Sequence, residues 1–338
     1  MNNKTKLKTK LVYSKSTNPW FNLAYEEFIL DNLEPEEITL YLWQNDNTVV
    51  IGRNQNSWKE CRCKELEKNK GKLARRLSGG GAVYHDLGNL NFTFVTNKKN
   101  YNFERQIGVI LKAVKSMGID ATFTGRNDLE IEGKKFSGNA FYFKGDKSYH
   151  HGTILIDTDF EKLQNYLTVS SDKIKSKGID SIRARVINLC DLTGIKEIKP
   201  YSHAFYREFQ KEYGICDEVI EIKEKTHLDE ISTLYEKYSH WDFRYGDSPN
   251  WELEGDKKFS WGKVSFGLTI KKGKIAQIGL YSDAMESTLS QCVKDNLYSM
   301  KLNELIDELC EVWKEKSLTS EEKEVYGWIF EEVKNLRK

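Results

Sequence analysis

Prolines are few in this 338-residue chain, four in all, so little interrupts its helical and extended patterns. Cysteines number six and lie scattered at 61, 63, 190, 216, 292 and 310, which does not read as a disulfide framework. Cys61 and Cys63 form a C-x-C pair, but no second pair or nearby histidine completes a zinc site. No charge of one sign dominates. The 52 Lys+Arg against 51 Asp+Glu leave a formal net charge of +1, which excludes a generally basic nucleic-acid binder and leaves only a local basic patch open. No apolar run approaches the roughly 18 residues of a membrane helix, and mean hydropathy is −0.63. The lysine-rich start, residues 1–9, leads into no apolar segment, so no secretory signal is read and the cytoplasm is the expected compartment.

Aromatic residues reach 12%, which excludes a solvated, disordered chain. The length suggests two domains of roughly 150 residues, each able to bury a core. Asn18-Pro19 opens a helix to about Asp31, with Asn as cap and proline in the first turn. Ile38–Trp43 and Thr48–Ile51 read as the strands of a hairpin, and Ser57–Lys68 as one helix. Further strands are expected at Asn91–Val95, Phe136–Phe143 and Thr153–Asp157, with helices at Phe103–Met117, Phe160–Leu167 and Ser202–Tyr213. From about Thr226 the texture changes. Val264, Phe266, Leu268 and Ile270 alternate with polar or small residues, as do Ala276, Ile278 and Leu280, giving a two-stranded unit packed by helices. The expected fold class is α+β: a large mixed-sheet domain over 1–245 and a smaller α+β domain over 246–338.

The chemically richest segment is Arg75-Arg76-Leu77-Ser78-Gly79-Gly80-Gly81-Ala82-Val83-Tyr84-His85-Asp86. Three glycines let main-chain amides approach a ligand without Cβ interference, and the two arginines add guanidinium donors for an anion. The pattern is neither a P-loop nor a dinucleotide fingerprint, and a bare triple glycine is also an ordinary flexible turn. In Gly133-Lys134-Lys135-Phe136-Ser137-Gly138-Asn139-Ala140 a lysine precedes a small-residue strand, where it can face a phosphate or form the solvated tip of a hairpin. Asp128 offers Mg²⁺ a hard carboxylate oxygen. His150 and His151, at a strand start, are by themselves of a kind more often structural or at the surface than catalytic.

Taken in order, these segments resemble the lipoate-protein ligases of the biotin/lipoate ligase superfamily. The matching residues are Asn18-Pro19-Trp20-Phe21-Asn22, Arg76-x-Ser78-Gly79-Gly80-Gly81-Ala82-Val83-Tyr84-His85-Asp86, Gly125-Arg126-Asn127-Asp128, Lys135-x-Ser137-Gly138-x-Ala140, His150-His151-Gly152-Thr153 and Arg183-x-Arg185-Val186-x-Asn188. They extend to Trp241-Asp242-Phe243-Arg244-Tyr245 and so span nearly the whole chain. The resemblance implies a catalytic domain of that type with a C-terminal accessory domain. It implies that ATP and lipoate give lipoyl-AMP and pyrophosphate, and that the acyl group then passes to a lysine of an E2 subunit of a 2-oxoacid dehydrogenase or of the glycine-cleavage H protein. By the same resemblance Lys135 is the catalytic residue, touching acyl and phosphate oxygens. Arg76, Gly81, Ala82, Val83 and Tyr84 then hold ATP, and Ser78, Gly79, Gly80, Gly81, His151 and Gly152 hold lipoate. The stretch from about Thr168 to Ala184 matches a loop over the adenylate, whose Lys173, Lys175, Lys177, Arg183 and Arg185 suit an acidic acceptor or simply a solvated face. Neither nucleic acid nor membrane is an expected partner. Two rivals remain: an ATP-independent lipoyl or octanoyl transferase acting through a cysteine, for which Cys190 is nearest a matched motif, and a non-catalytic lipoate-binding adaptor.

Overall fold

The computed structural model describes residues 7–124, 127–168, 185–246, 253–271, 274–284, 289–297 and 318–335. Two compact units emerge: Met1–Ile51, Ser57–Arg76 and Ala82–Arg244 form the first, and Gly52–Asn56, Leu77–Gly81 and Tyr245–Lys338 the second. Both are α+β.

In the first unit the strands are β1 (Lys8–Ser14), β2 (Glu37–Trp43), β3 (Thr48–Ile51), β4 (Lys72–Arg75), β5 (Val83–His85), β6 (Asn89–Asn97), β7 (Thr122–Thr124), β8 (Asp128–Ile131), β9 (Lys134–Lys144), β10 (Lys147–Leu155) and β11 (Glu218–Ile222). Eight of them make one mixed sheet in the order β11-β1-β2-β6-β10-β9-β8-β7. β1 runs parallel to both β2 and β11, and the other pairings are antiparallel. The helices Phe103–Lys115 and Ile198–Tyr213 cover one face, where Ile107, Ile110, Val114, Phe205 and Phe209 meet Leu40, Phe92, Phe94 and Ile154. The helix Pro19–Asp31 starts as its sequence dictates: the Asn18 side chain accepts from the Trp20 N–H, and Pro19 needs no amide partner in the first turn.

Ile38–Trp43 and Thr48–Ile51 do not form the expected hairpin. Both edges of β2 are taken, by β1 and β6, while β3 pairs with β4 and β5 in a separate three-stranded sheet. The connection is held by Asn22, whose Nδ2 donates to Gln44 O at 2.7 Å and to Asn45 Oδ1 at 3.0 Å. The single helix expected over Ser57–Lys68 is two, Ser57–Glu60 and Cys63–Lys68. Cys61 leaves helical geometry to bridge Leu167, and the Arg62 N–H donates to Tyr166 O.

The second unit contains a meander of β12 (Leu253–Phe259), β13 (Gly262–Lys271) and β14 (Lys274–Ser282), three strands where the alternation suggested two. Val264, Phe266, Leu268 and Leu280 pack against Val293, Leu297, Val325 and Ile329 of the helices Leu289–Leu297 and Ser320–Asn335. A bulge between Thr269 and Ile270 changes the phase of the pairing. Ile275, not Ala276, is therefore the buried residue at the start of β14. No helix among the described residues is long and apolar enough to cross a membrane.

Candidate active site

The β8–β9 hairpin closes through Glu132 and Gly133, both with positive φ (50° and 76°), the turn geometry that matches the twist of paired strands. It sets Asp128 opposite Gly138. The Lys135 N–H donates to Arg185 O at 2.8 Å, and its carbonyl accepts from the Ile187 N–H at 3.0 Å. Its ammonium lies 2.8 Å from Asp128 Oδ1. Gly138 leaves the space this requires, because a Cβ there would lie 2.7 Å from Lys135 Nζ and 2.9 Å from Cε. Lys135 and Asp128 are both about a third exposed, so this pair is partly open to solvent and contributes little to stability by itself.

Gly152, one strand further in, has backbone on one side and a ring on the other: a Cβ would meet Gly138 O at 2.8 Å and Phe92 Cζ at 2.6 Å. His151 and Tyr149 alternate with His150 along β10 and project to the opposite face. There His151 Nδ1 is 2.9 Å from Glu26 Oε1 of the helix Pro19–Asp31, and the Tyr149 and His151 rings are 4.8 Å apart. The same Glu26 oxygen accepts from Thr93 Oγ1 at 2.7 Å, and Thr93 in turn accepts from Trp43 Nε1 at 3.0 Å. Arg76 is buried at the end of β4, its N–H on Ile51 O and its guanidinium donating to Val50 O at 3.2 Å. Burial lowers its pKa to about 10, still far above neutrality, so it remains a cation within electrostatic reach of Tyr149 and Glu26. The neighbouring Arg75 points elsewhere, holding the carbonyls of Phe243 (2.7 Å) and Arg244 (3.1 Å) at the end of this unit. Ala82 precedes β5, whose Val83 and Tyr84 pair with Val50 and Val49. The Tyr84 hydroxyl donates to Asn47 Oδ1 at 3.1 Å.

His85, next in the chain, is buried with its Nδ1 3.1 Å from Asn45 Nδ2. Asn45 Oδ1 is occupied by Asn22, so Nδ2 faces the imidazole, Nδ1 accepts and the proton sits on Nε2. That Nε2–H has no partner among the described residues. Burial first, then the Arg76 charge and His151, push the His85 pKa down to about 3. The native state therefore excludes a proton that an unfolded histidine takes up below about pH 6.5, and stability falls as pH drops from 6.5 towards 3. The slope from one such group is up to about 1.4 kcal/mol per pH unit. His85→Gln should flatten the loss of urea stability between pH 6.5 and 4 relative to wild type; parallel pH profiles would show that His85 is not titrating in this way.

In the second unit the Leu77–Gly81 loop is held by main chain: the Arg53 N–H donates to Ser78 O at 3.0 Å, and the Gly80 N–H to Ala284 O at 3.0 Å. Gly80 has φ 87°, closed to most side chains, whereas a Cβ at Gly81 would meet nothing within 4 Å. Ser78 is fully buried.

Among the described residues no group of three or more His, Cys, Asp or Glu could hold a metal, and the C-x-C thiols are buried without a metal set. Asp128 is a single hard carboxylate whose first partner is Lys135. Cys190 is buried, its thiol donates to Asp157 Oδ1 at 3.4 Å, and burial with that carboxylate pushes its pKa up to about 12. A thiol so held is a poor nucleophile near neutral pH, against the transferase alternative. Gly125, Arg126, residues 169–184 with Lys173, Lys175, Lys177 and Arg183, and residues 247–250 lie outside the described residues. The sequence reading assigned no role to Glu26, Tyr149 or His85, although His85 falls within the matched glycine-rich motif. Its available signal for Glu26 was a carboxylate at helical i+3 and i+4 spacing from the apolar Leu23, Ile29 and Leu30.

Residues 18–210 match the family described as the lipoyl protein ligase A/B catalytic domain, and residues 248–329 match the bacterial lipoate protein ligase C-terminus. A lipoate-protein ligase A from Psychrobacter cryohalolentis is 40% identical over 302 residues, covering 87% of this chain and 89% of its own. The crystal structure of P. falciparum LipL1 in complex with lipoate superposes with a TM-score of 0.82 at 31% identity, covering 96% of this chain and 100% of that one. A lipoate-protein ligase A bound with ATP gives 0.61 at 26% identity, covering 71% and 99%. The large mixed sheet with its small C-terminal sheet is the fold of an acyl-transferring ligase class. The chain belongs to the lipoate-protein ligase family, a family of enzymes.

Proposed function

We propose that this protein is an ATP-dependent ligase that activates lipoate and attaches it to a lysine of acceptor proteins, with 1–245 as catalytic domain and 246–338 as accessory domain. In the first step a lipoate carboxylate oxygen attacks the α-phosphorus of ATP and pyrophosphate leaves. In the second the ε-amine of an acceptor lysine, on a lipoyl domain of an E2 subunit or on the H protein, attacks the acyl carbon and AMP leaves. The observation that carries this reading is the Lys135 ammonium, placed over Gly138 and oriented by Asp128 at 2.8 Å. A compact cation held there can stabilise the charge that grows between carboxylate and phosphate. Arg76 is a second, buried cation for the nucleotide, with the Gly81–Tyr84 backbone beside it in sequence. Ser78, Gly79, Gly80, His151 and Gly152 are assigned to lipoate by the resemblance, and within the first unit Trp43, Tyr149 and Glu26 are the surroundings of His151. The orphan Nε2–H of His85 is a donor of the kind that a bound oxygen satisfies.

Asp128 fits as the protein carboxylate for Mg²⁺ entering with ATP, since this ion binds through one or two carboxylates and completes its shell with phosphate and water. When bound, the ion neutralises phosphate charge. A reaction that consumes ATP is assigned to the cytoplasm.

The test combines the chain with ATP, lipoate and a purified lipoyl domain. The expected result is ATP-dependent pyrophosphate release and one lipoyl mass increment on the acceptor. Acyl transfer without ATP would favour the transferase, and lipoate binding without AMP formation the adaptor. A narrower prediction concerns Gly138→Ala. The added methyl meets the mobile end of Lys135 rather than backbone, so the fold should persist while the ammonium is displaced. Lipoyl-AMP formation is expected to fall about ten- to a hundredfold, the usual penalty of misplacing a reacting group by an ångström. Unchanged turnover would show that the position of Lys135 is not critical.

A further inference from the structure

His150 stands outside every role assigned so far. It is fully buried on the helix-covered face, ringed by Phe92, Phe94, Phe103 and Phe141 at centroid distances of 5.0–5.9 Å. Its Nε2 lies 2.9 Å from Asn139 Oδ1, and its Nδ1 lies 3.0 Å from the Gln106 side chain. Asn139 makes two further bonds to one acceptor: its backbone N–H and its Nδ2 each donate to Asn127 O at 2.9 Å. The Nδ2 bond fixes which way the Asn139 amide faces, so Oδ1 must accept and His150 Nε2 must donate. Burial pushes the His150 pKa well below its ordinary value, so the ring is neutral and Nδ1 accepts. The Gln106 amide then turns its NH₂ to Nδ1. Every donor and acceptor in the chain of contacts has one consistent role.

Asn127 immediately precedes Asp128, and Asp128 pairs with Lys135. We propose that Gln106, His150 and Asn139 form a buried relay that positions the Asn127–Asp128 backbone, and through it the Lys135 ammonium, for acyl-adenylate formation. The inference rests on the ligase reading above and adds positioning residues to it. None of the three touches substrate on this account. Their action is on the direction of the Asp128 carboxylate, which a single doubly hydrogen-bonded carbonyl fixes from behind.

Asn139→Asp is the informative variant. It keeps an acceptor for His150 and the side-chain volume but removes the donor to Asn127 O. Lipoate-dependent pyrophosphate release should fall about tenfold in kcat, the scale of one lost hydrogen bond, with the KM values for lipoate and ATP within about threefold. The same change made in an Asp128→Asn background should cost less than about twofold, because the group it positions is gone. Equal losses in both backgrounds, or no loss in either, would overturn the relay. A second pair covers failure of that variant to fold: His150→Gln, whose amide can still donate to Asn139, should retain more activity than the apolar His150→Leu at matched stability, and equal rates for the two would count against the relay. Hydrogen exchange across 127–131 gives a readout independent of turnover, and protection there should drop in Asn139→Asp and in His150→Leu. Should wild type release no pyrophosphate, the ligase reading fails, and the exchange result alone decides whether the relay positions this segment.

Discussion

Lys135→Ala should lower lipoyl-AMP formation by roughly 10² to 10³-fold, the loss of about 3 kcal/mol that follows removal of one preorganised charge at a reacting centre. The fold should be unaffected, since the ammonium is partly exposed and its ion pair with Asp128 contributes little to stability. Lys134 is the control. It sits across from Ile131 at the hairpin tip, next in the chain but projecting to the other face, and Lys134→Ala should stay within a few-fold of wild type. Lys135→Arg should not restore the rate, because Gly138 leaves space for a narrow methylene chain ending in a compact cation, and a planar fork has a different reach. Pyrophosphate release at saturating ATP and lipoate, with circular dichroism as the check on folding, measures all three. Near-normal release by Lys135→Ala would refute the assignment and shift attention to Arg76.

The second large effect is expected from removing the C-terminal segment. A cut near Lys237, where the change of sequence texture suggests it, would fall inside the first unit. Lys237 holds both Glu27 oxygens at 2.7 and 2.9 Å, Tyr238 is fully buried, and Arg75 grips the carbonyls of Phe243 and Arg244. The cut belongs after Gly246. That truncation deletes the Ala284 carbonyl to which Gly80 donates and the Ser282 amide that donates to Asn54 O at 2.7 Å, so the glycine loop keeps the Arg53–Ser78 bond but loses its anchor at Gly80. Adenylation should fall at least about a hundredfold, by the same penalty for misplaced binding groups, while transfer from supplied lipoyl-AMP persists in part. Equal loss of both steps in a folded truncate would show that the C-terminal segment serves the fold and not the first reaction.

Elements whose bonds are local could be read directly. Asn18-Pro19 announced a helix start because cap and first turn are neighbours in sequence, and Val264–Ile270 announced a strand because its alternation is intact up to the bulge. β1 was not legible: its Lys8 and Lys10 look like a solvated tail, yet Lys10 pairs with buried Glu37 at 2.8 Å and Thr9 is fully buried. Such a strand is defined by partners far along the chain. The site divides in the same way. Lys135, Asp128 and the glycine loop stood out by residue type, but the Lys135–Asp128 pair, the Glu26–His151 contact and the opposite facing of His150 and His151 needed the sheet register. Asn139 falls at an open position of the Lys135-x-Ser137-Gly138-x-Ala140 motif, since its three bonds reach residues 127 and 150, on two different neighbours.

Among the described strands of this sheet β1 comes earliest in the chain and its outer neighbour β11 last, with Thr9 and Asp217 bonded across 208 positions. At a translation rate of about 5–20 residues per second, the outer edge of β1 waits roughly ten to forty seconds on the ribosome for the strand that covers it. An unpaired edge of that kind is a template for pairing with another chain. Lys8 and Lys10 lie on this strand, and like charges on nascent copies repel each other until Glu218 and Glu37 arrive to pair with them. Charged lysines on an exposed strand are one means by which such edge pairing is blunted, and pairings this far apart in the chain close slowly.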